Sequence, residues 1–300
     1  MNQPRASARL RRSALYMPGS NTRALEKARG LDADVLIMDL EDAVAPEAKA
    51  EARGCIARAL HAGGYGHREI VVRINGFDTP WGEADLAAVA AMTADAVLFP
   101  KIEDGVQLRE AIHRLDRAGG TQLPVWVMAE LPQAVLSIDA IASLAPRVRA
   151  IVMGTADLAR ALRLPPDPQR QGLLTALGHC VLGARARGLD ILDGIYADLR
   201  DLAGFGQACQ QGKALGFDGK TLIHPGQIAL ANEIFGVSAE EAAQAARVVA
   251  AWESAAAAGR GIAVLDGRMV ERLHAEEARR TIALHRAGLE RQGNMGQGAS

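Results

Sequence analysis

A short apolar run, a charged turn and a segment of helical spacing follow one another eight times between Ala14 and Ile223. The apolar runs are Ala14–Met17, Asp34–Leu40, Glu69–Ile74, Ala96–Phe99, Pro124–Ala129, Ala150–Met153, Asp190–Leu192 and Gly219–Ile223. Most are rich in Val, Ile or Leu without clean alternation, as expected of strands covered on both faces. Helical spacing recurs between them, for example over Asn21–Leu31, Glu47–Leu60, Glu83–Met92, Gly105–Arg117, Gln133–Leu144 and Arg170–Arg187. Strands separated by helices imply parallel pairing with right-handed crossovers. Eight units within about 235 residues fit a closed (β/α)8 TIM barrel, with an open doubly wound sheet as the second choice. The chain has 300 residues, so a barrel domain over 1–237 leaves a remainder. Residues 238–291 read as a C-terminal helical lid extension, and 292–300 as a disordered tail. Within the extension, Ser238–Ala257 reads as a helix whose Ser238 and Glu241 form a capping box. Gly259–Gly261 breaks it, Ile262–Leu265 reads as a short strand and Met269–Ala287 as a second helix.

Composition removes several functions. Lys plus Arg number 34 and Asp plus Glu 35, for a net charge of -1. That balance gives neither the basic footprint of a nucleic-acid binder nor a reason to bind an anionic membrane. No apolar run reaches the length of a membrane span. The opening MNQPRASARLRR is basic but lacks the apolar core of a secretory signal. Cys55, Cys180 and Cys209 are too far apart for a metal motif or a disulfide framework, which points to a soluble, cytoplasmic protein.

In a parallel barrel the chemistry sits where the strands end. Asp39 stands near the end of the second run with Glu41 and Asp42 after it, Arg73 near the end of the third with Asn75 after it, and Lys101 follows the fourth. Glu130 follows the fifth, Asp157 the sixth, Asp193 the seventh and His224 the eighth. One acid in such a place is most often a helix cap, and Asp157 stands where it could cap a helix at Leu158. Several acids on one rim repel one another unless a cation compensates them. With no His pair or Cys cluster nearby, the cation is hard and oxygen-bound. Mg2+ (or Mn2+) fits, with Glu130 and Asp157 from adjacent strands as the pair to hold it. Arg73 on the same rim is placed to hold a substrate carboxylate in bidentate fashion.

Seven ordered segments carry a resemblance. RRSALYMPGSN (Arg11–Asn21), VLIMDLEDAVAPEAKAEAR (Val35–Arg53), VVRING (Val71–Gly76), LFPKIED (Leu98–Asp104), MAELP (Met128–Pro132), MGTADLA (Met153–Ala159) and GFDGKTLIHPGQI (Gly216–Ile228) are similar to the citrate lyase beta-subunit-like proteins. That group includes malyl-CoA and citramalyl-CoA lyases, within the HpcH/HpaI aldolase and citrate lyase superfamily. The resemblance implies a (β/α)8 barrel, Mg2+ dependence and a substrate that is a CoA thioester. The reaction implied is cleavage or formation of a C–C bond in a 3-hydroxyacyl-CoA such as malyl-, citramalyl- or citryl-CoA, giving an acyl-CoA and a 2-keto acid. It makes Glu130 and Asp157 the metal ligands, Arg73 the substrate-binding arginine, and Glu41 and Asp42 an acidic pair ordering metal-bound waters.

The resemblance further implies a homo-oligomer, a trimer or a multiple of one, in which a neighbour's tail closes the site with an acid. Here that acid is Glu271 of Met269-Val270-Glu271, where relatives carry Asp. Leu131 stands where relatives carry Thr, a change expected to alter the polarity beside the metal. Two other functions stay open: a thioesterase acting on malyl-CoA, and a non-catalytic relative that binds CoA esters. Arg11 and Arg12 are candidates for CoA phosphates, and His224 for the pocket wall.

Overall fold

The structure is a computed structural model describing residues 9–297. These form two compact units, one over Arg11–Phe235 and one from Gly236 onward that also takes in Arg9 and Leu10.

The first unit is a closed barrel of eight parallel strands in sequential order. They are β1 (Ser13–Pro18), β2 (Val35–Asp39), β3 (Glu69–Arg73), β4 (Ala96–Phe99), β5 (Val125–Ala129), β6 (Val148–Met153), β7 (Asp190–Asp193) and β8 (Gly219–Leu222). Ten helices surround it: α1 (Thr22–Lys27), α2 (Lys49–Ala62), α3 (Gly82–Ala90), α4 (Gly105–Arg117), α5 (Pro132–Leu136), α6 (Ile138–Ala142), α7 (Thr155–Ala161), α8 (Leu174–Ala186), α9 (Leu202–Leu215) and α10 (Ile228–Phe235). Every expected strand is present. The single helix expected over Gln133–Leu144 is instead the pair α5 and α6, which meet at Ser137.

Two apolar clusters follow from the two faces of each strand. Val35 and Ile37, Val71, Ala96 and Leu98, Trp126 and Met128, and Ala150 and Val152 fill the barrel interior. The residues between them, such as Leu36, Val72, Val97, Val127 and Ile151, pack outward against the helices. The chain is only 4% aromatic, and small residues such as Ala52, Ala111 and Ala184 are buried at that helix–strand interface. This explains how an Ala-rich chain builds a tight helix layer: small side chains admit close approach and lose little entropy.

The inward phase decides which polar residues reach the mouth. Side chains alternate with period two, so the phase of Val35 and Ile37 carries on to Asp39. That of Val71 leads to Arg73, and that of Trp126 and Met128 to Glu130. Asp193 directly follows the inward-facing Leu192 and so points outward. There it meets Lys220 Nζ at 2.7 Å and Arg170 Nη1 at 2.8 Å behind α9, Asp193 and Lys220 being fully buried. Burial alone would push the Asp193 carboxyl up, but the two cations hold it below the usual carboxylate range. Asp193 therefore belongs to a structural ion cluster and not to the rim.

The opposite end of the barrel is closed by arginines. Arg11 spans Glu69 at 2.7 Å and Asp190 at 2.5 Å, and its guanidinium lies 4.9 Å from the Trp126 ring centre. Arg12 grips Asp34 through its backbone N–H at 2.8 Å and its side chain at 2.9 Å. Glu69 and Asp190 open their strands, so both arginines sit at the strand starts. This corrects their reading as phosphate contacts, because the chemistry of such a barrel lies at the other end.

In the second unit, α11 (Ala239–Ala257) opens with the expected capping box, Ser238 Oγ accepting from Glu241 N at 3.0 Å. It packs Val248, Ala251 and Trp252 against a hairpin of β9 (Ala263–Leu265) and β10 (Arg268–Val270). The last helix is α12 (Arg272–Gln297). Met269 and Val270 were expected to be helical and are instead strand. Asp266 (φ 50°) and Gly267 (φ 75°) form the two-residue left-handed turn that the Asp-Gly pair favours, and it folds the chain back. The tail also differs from expectation: helix continues through Gln297, since extending a nucleated helix costs little. Residues 298–300 of that tail lie outside the described residues. Among the described residues no helix is long and apolar enough to cross a membrane, and the three cysteines are free and buried.

Candidate active site

Asp39 is the hub of the mouth. Its fully buried carboxylate accepts from the backbone N–H groups of Glu41 at 2.9 Å and Ala43 at 3.0 Å. It also accepts Arg73 Nε and Nη2, each at 2.7 Å. Burial alone would disfavour the Arg73 charge, but the Asp39 carboxylate beside it lifts its pKa well above the ordinary value. Tyr16 supports the same guanidinium from one face, 4.8 Å away. The two-pronged edge of Arg73 is thus spent on Asp39. Only Nη1 turns elsewhere, toward Glu41 Oε2 at 2.6 Å and Met128 Sδ at 3.6 Å. Both prongs of the bidentate clamp expected from sequence are thus already bound to Asp39, and only Nη1 faces away from it.

Glu41 is held by its backbone. Lys49 Nζ donates to the carbonyls of Leu40 at 2.8 Å and Glu41 at 2.7 Å, and Asn75 Nδ2 donates to Leu40 O at 2.7 Å. Its Oε2 faces Arg73 but receives no hydrogen bond, so their contact is Coulombic. Burial pushes the Glu41 carboxyl up to about 8; Arg73 opposes the shift, while Glu130 and Asp42 add to it. Asp42 is exposed and 3.7 Å from Arg73 Nη1.

The sign of the resulting pH dependence follows directly. In the metal-free protein the unfolded chain ionises Glu41 near 4.5 while the folded state keeps the proton to about 8. That contribution to stability is complete below the lower value and lost as pH rises through the upper one. Glu41→Gln is expected to abolish this loss. Melting curves in chelator between pH 5 and 9 check it: wild type should lose more stability than the variant, and parallel curves would refute the assignment.

Glu130 and Asp157 come from adjacent strand ends. Glu130 is buried, and its Oε1 accepts the backbone N–H of Lys101 at 2.7 Å. Asp157 lies in the first turn of α7, inside the helix and two residues past its first position, so it is not the cap expected from sequence. Its carboxylate contacts Lys101 Nζ and meets Arg160 Nη2 at 2.8 Å. Lys101 Nζ is also 3.5 Å from Glu130 Oε1. Burial raises Glu130 above the ordinary range despite Lys101, while Lys101 and Arg160 bring the more exposed Asp157 below it. Gly154 makes room for Glu130, since a Cβ there would come within 2.2 Å of Glu130 Cβ. Among the described residues no group of three or more His, Cys, Asp or Glu is placed to hold a metal ion. A cation held here would take these two carboxylates and complete its shell with water or substrate oxygens, the habit of Mg2+.

A cavity of about 360 Å³ adjoins the site, lined by Glu41, Asp42, Asn75, Asp78, Trp81 and Lys101 among others. Leu131 lies out of phase with Glu130 and packs against the outer core, at the uncapped start of α5. Its side chain makes no capping hydrogen bond to the helix it precedes. His224 is exposed and caps the turn before α10, its Nδ1 accepting from Gly226 N at 3.0 Å. Glu271 belongs to the second unit, at the start of α12, where its carbonyl accepts from His274 N at 3.1 Å. Tyr16 was not noticed in the sequence reading, and Asp39 was noted there without a role of its own. The inward phase of β1 and β2 would have singled them out.

Several known proteins are similar to this chain in sequence or in fold. A (3S)-malyl-CoA thioesterase from Cereibacter sphaeroides (strain KD131) is 49% identical over 272 residues, covering 91% of this chain and 93% of the relative. The citrate lyase subunit beta of Escherichia coli K12 is 36% identical and covers 94% of each chain. Among solved structures, protein CitE from Mycobacterium tuberculosis, in complex with magnesium, acetoacetate and coenzyme A, superposes with a TM-score of 0.72. It is 28% identical and covers 92% of this chain and 97% of its own. A citrate lyase from Burkholderia xenovorans LB400 has the same fold, with a TM-score of 0.81 at 19% identity over 93% of this chain and 92% of its own. Residues 12–225 match the HpcH/HpaI aldolase/citrate lyase family, and the chain belongs to it.

Proposed function

We propose that this protein is a Mg2+-dependent enzyme acting on a malyl-CoA-type 3-hydroxyacyl thioester, and that it hydrolyses the thioester. The observation that carries the substrate class is the pairing of Glu130 and Asp157, compensated by a cation, beside an Arg73 already locked by Asp39. Such a rim suits an anionic, oxygen-rich substrate chelated together with a hard metal. What supports hydrolysis is the 49% identity to a protein named (3S)-malyl-CoA thioesterase, against 36% to a citrate lyase subunit beta.

Glu130 and Asp157 would hold the Mg2+, whose chemistry when bound is Lewis-acid polarisation of substrate oxygens. Arg73 Nη1 would meet the oxyanion that develops on the substrate, from a position fixed before it arrives. Glu41 and Asp42 would orient water at the cavity side. Glu271, supplied by a neighbouring copy in a homo-oligomer, would accept a proton from the water that attacks the thioester carbonyl and pass it to the departing CoA thiolate. The buried, unpaired cysteines fit a cytoplasmic setting.

C–C cleavage is the second reading, and membership of a citrate lyase family favours it. The products separate the two. Purified protein with Mg2+ and (3S)-malyl-CoA should give malate and free CoA in equal amounts. Glyoxylate with acetyl-CoA would establish the lyase instead, and tight CoA-ester binding with no product would establish a binding protein.

A further inference from the structure

The geometry points to Lys101 as an internal counter-ion that occupies the cation position between Glu130 and Asp157 and must yield it when a divalent ion binds. This inference rests on Glu130 and Asp157 being the metal-binding pair. Three observations carry it. The Lys101 ammonium contacts Asp157 Oδ2 and lies 3.5 Å from Glu130 Oε1, so one charge bridges the two carboxylates a metal would need. The backbone is set for this: Lys101 adopts φ 54°, a left-handed conformation costly for a residue with a Cβ, and its N–H donates to Glu130 Oε1 at 2.7 Å. The conformation thus ties backbone and side chain of one residue to the same pair. Finally, the Lys101 side chain is 30% exposed and lines the cavity beside Glu41 and Trp81, so the displaced ammonium has somewhere to go.

The physical consequence is competition. Two carboxylates this close repel each other when uncompensated, and the metal-free protein avoids that repulsion by supplying its own cation. The arriving metal must then break the Lys101 contacts, so its affinity is lower than the two carboxylates alone would give. The same displacement turns the ammonium toward the cavity only when the metal is present, which couples metal loading to the charge a thioester substrate meets there.

The test measures Mn2+ and Mg2+ binding by calorimetry, and melting of metal-free protein in chelator, for wild type, Lys101→Met and Lys101→Gly. The glycine variant accepts the left-handed backbone without strain and keeps the N–H to Glu130, so it separates loss of the ammonium from damage to the fold. Both variants are expected to bind metal roughly tenfold more tightly than wild type, the scale of one charge contact. Both should also gain more in melting temperature on adding metal. Equal or weaker binding by both variants would overturn the proposal. Glu130→Gln serves as the reference. If it leaves wild-type metal binding intact, the metal-binding pair itself is wrong; if it removes binding while the Lys101 variants bind like wild type, only the role of Lys101 is wrong.

Discussion

Asp39→Ala is expected to destabilise the barrel by about 3–5 kcal/mol, the usual cost of removing one member of a buried ion pair. The value falls at the high end of point mutations because four donors lose their acceptor together: two backbone N–H groups and two of the Arg73 guanidinium. The guanidinium then keeps as acidic neighbours only Glu41, whose carboxyl favours its proton, and the exposed Asp42 at 3.7 Å. For a unit of this size the melting temperature should fall on the order of 10 °C. Chemical denaturation of wild type, Asp39→Ala and Asp39→Asn measures it, and a loss below about 1 kcal/mol in Asp39→Ala would show that Asp39 is not the hub. The surviving folded fraction should turn over far more slowly, because Arg73 no longer stands where it is needed.

Glu130→Gln should do the opposite: little change in stability and a near-complete loss of metal-dependent turnover. Gln keeps the volume and can still accept the Lys101 N–H, while the cost of a buried negative charge disappears. Replacing an outer partner of a metal ligand typically costs about 10–100-fold in affinity or activity, so the ligand itself should cost more than that. Calorimetry with Mn2+ and an activity titration against Mg2+ read the two effects separately. A variant that binds metal and hydrolyses malyl-CoA like wild type would remove Glu130 from the metal site. Folded, inactive and metal-blind protein is the expected outcome.

The barrel was legible in the sequence because each strand is a continuous apolar run, and such runs are read without knowing their partners. The mouth was legible only as a list of residues following those runs. What separated its members was phase. Asp39 and Asp193 both end apolar runs of the same kind, yet one faces the interior and the other the helices, because each strand's register sets which side its last residue takes. Arg73 was assigned two free prongs, since nothing in the local pattern shows that a buried acid one strand away has already claimed them. The Asp266-Gly267 turn was readable in principle. It was masked by the helical spacing of the residues that follow it.

The clasp of arginines at the strand starts also bears on how the chain survives its own synthesis. β1 pairs with β8, Ser13 opposite Lys220, so the first strand made waits for the last before its second edge is covered. At about 5–20 residues per second that interval is roughly 10–40 s. An apolar edge left open so long invites pairing with other nascent chains, and charge beside the edge discourages it. Arg11 and Arg12 directly precede β1, so the residues that later seal the barrel floor also place two positive charges beside the start of this strand while its edge waits for β8.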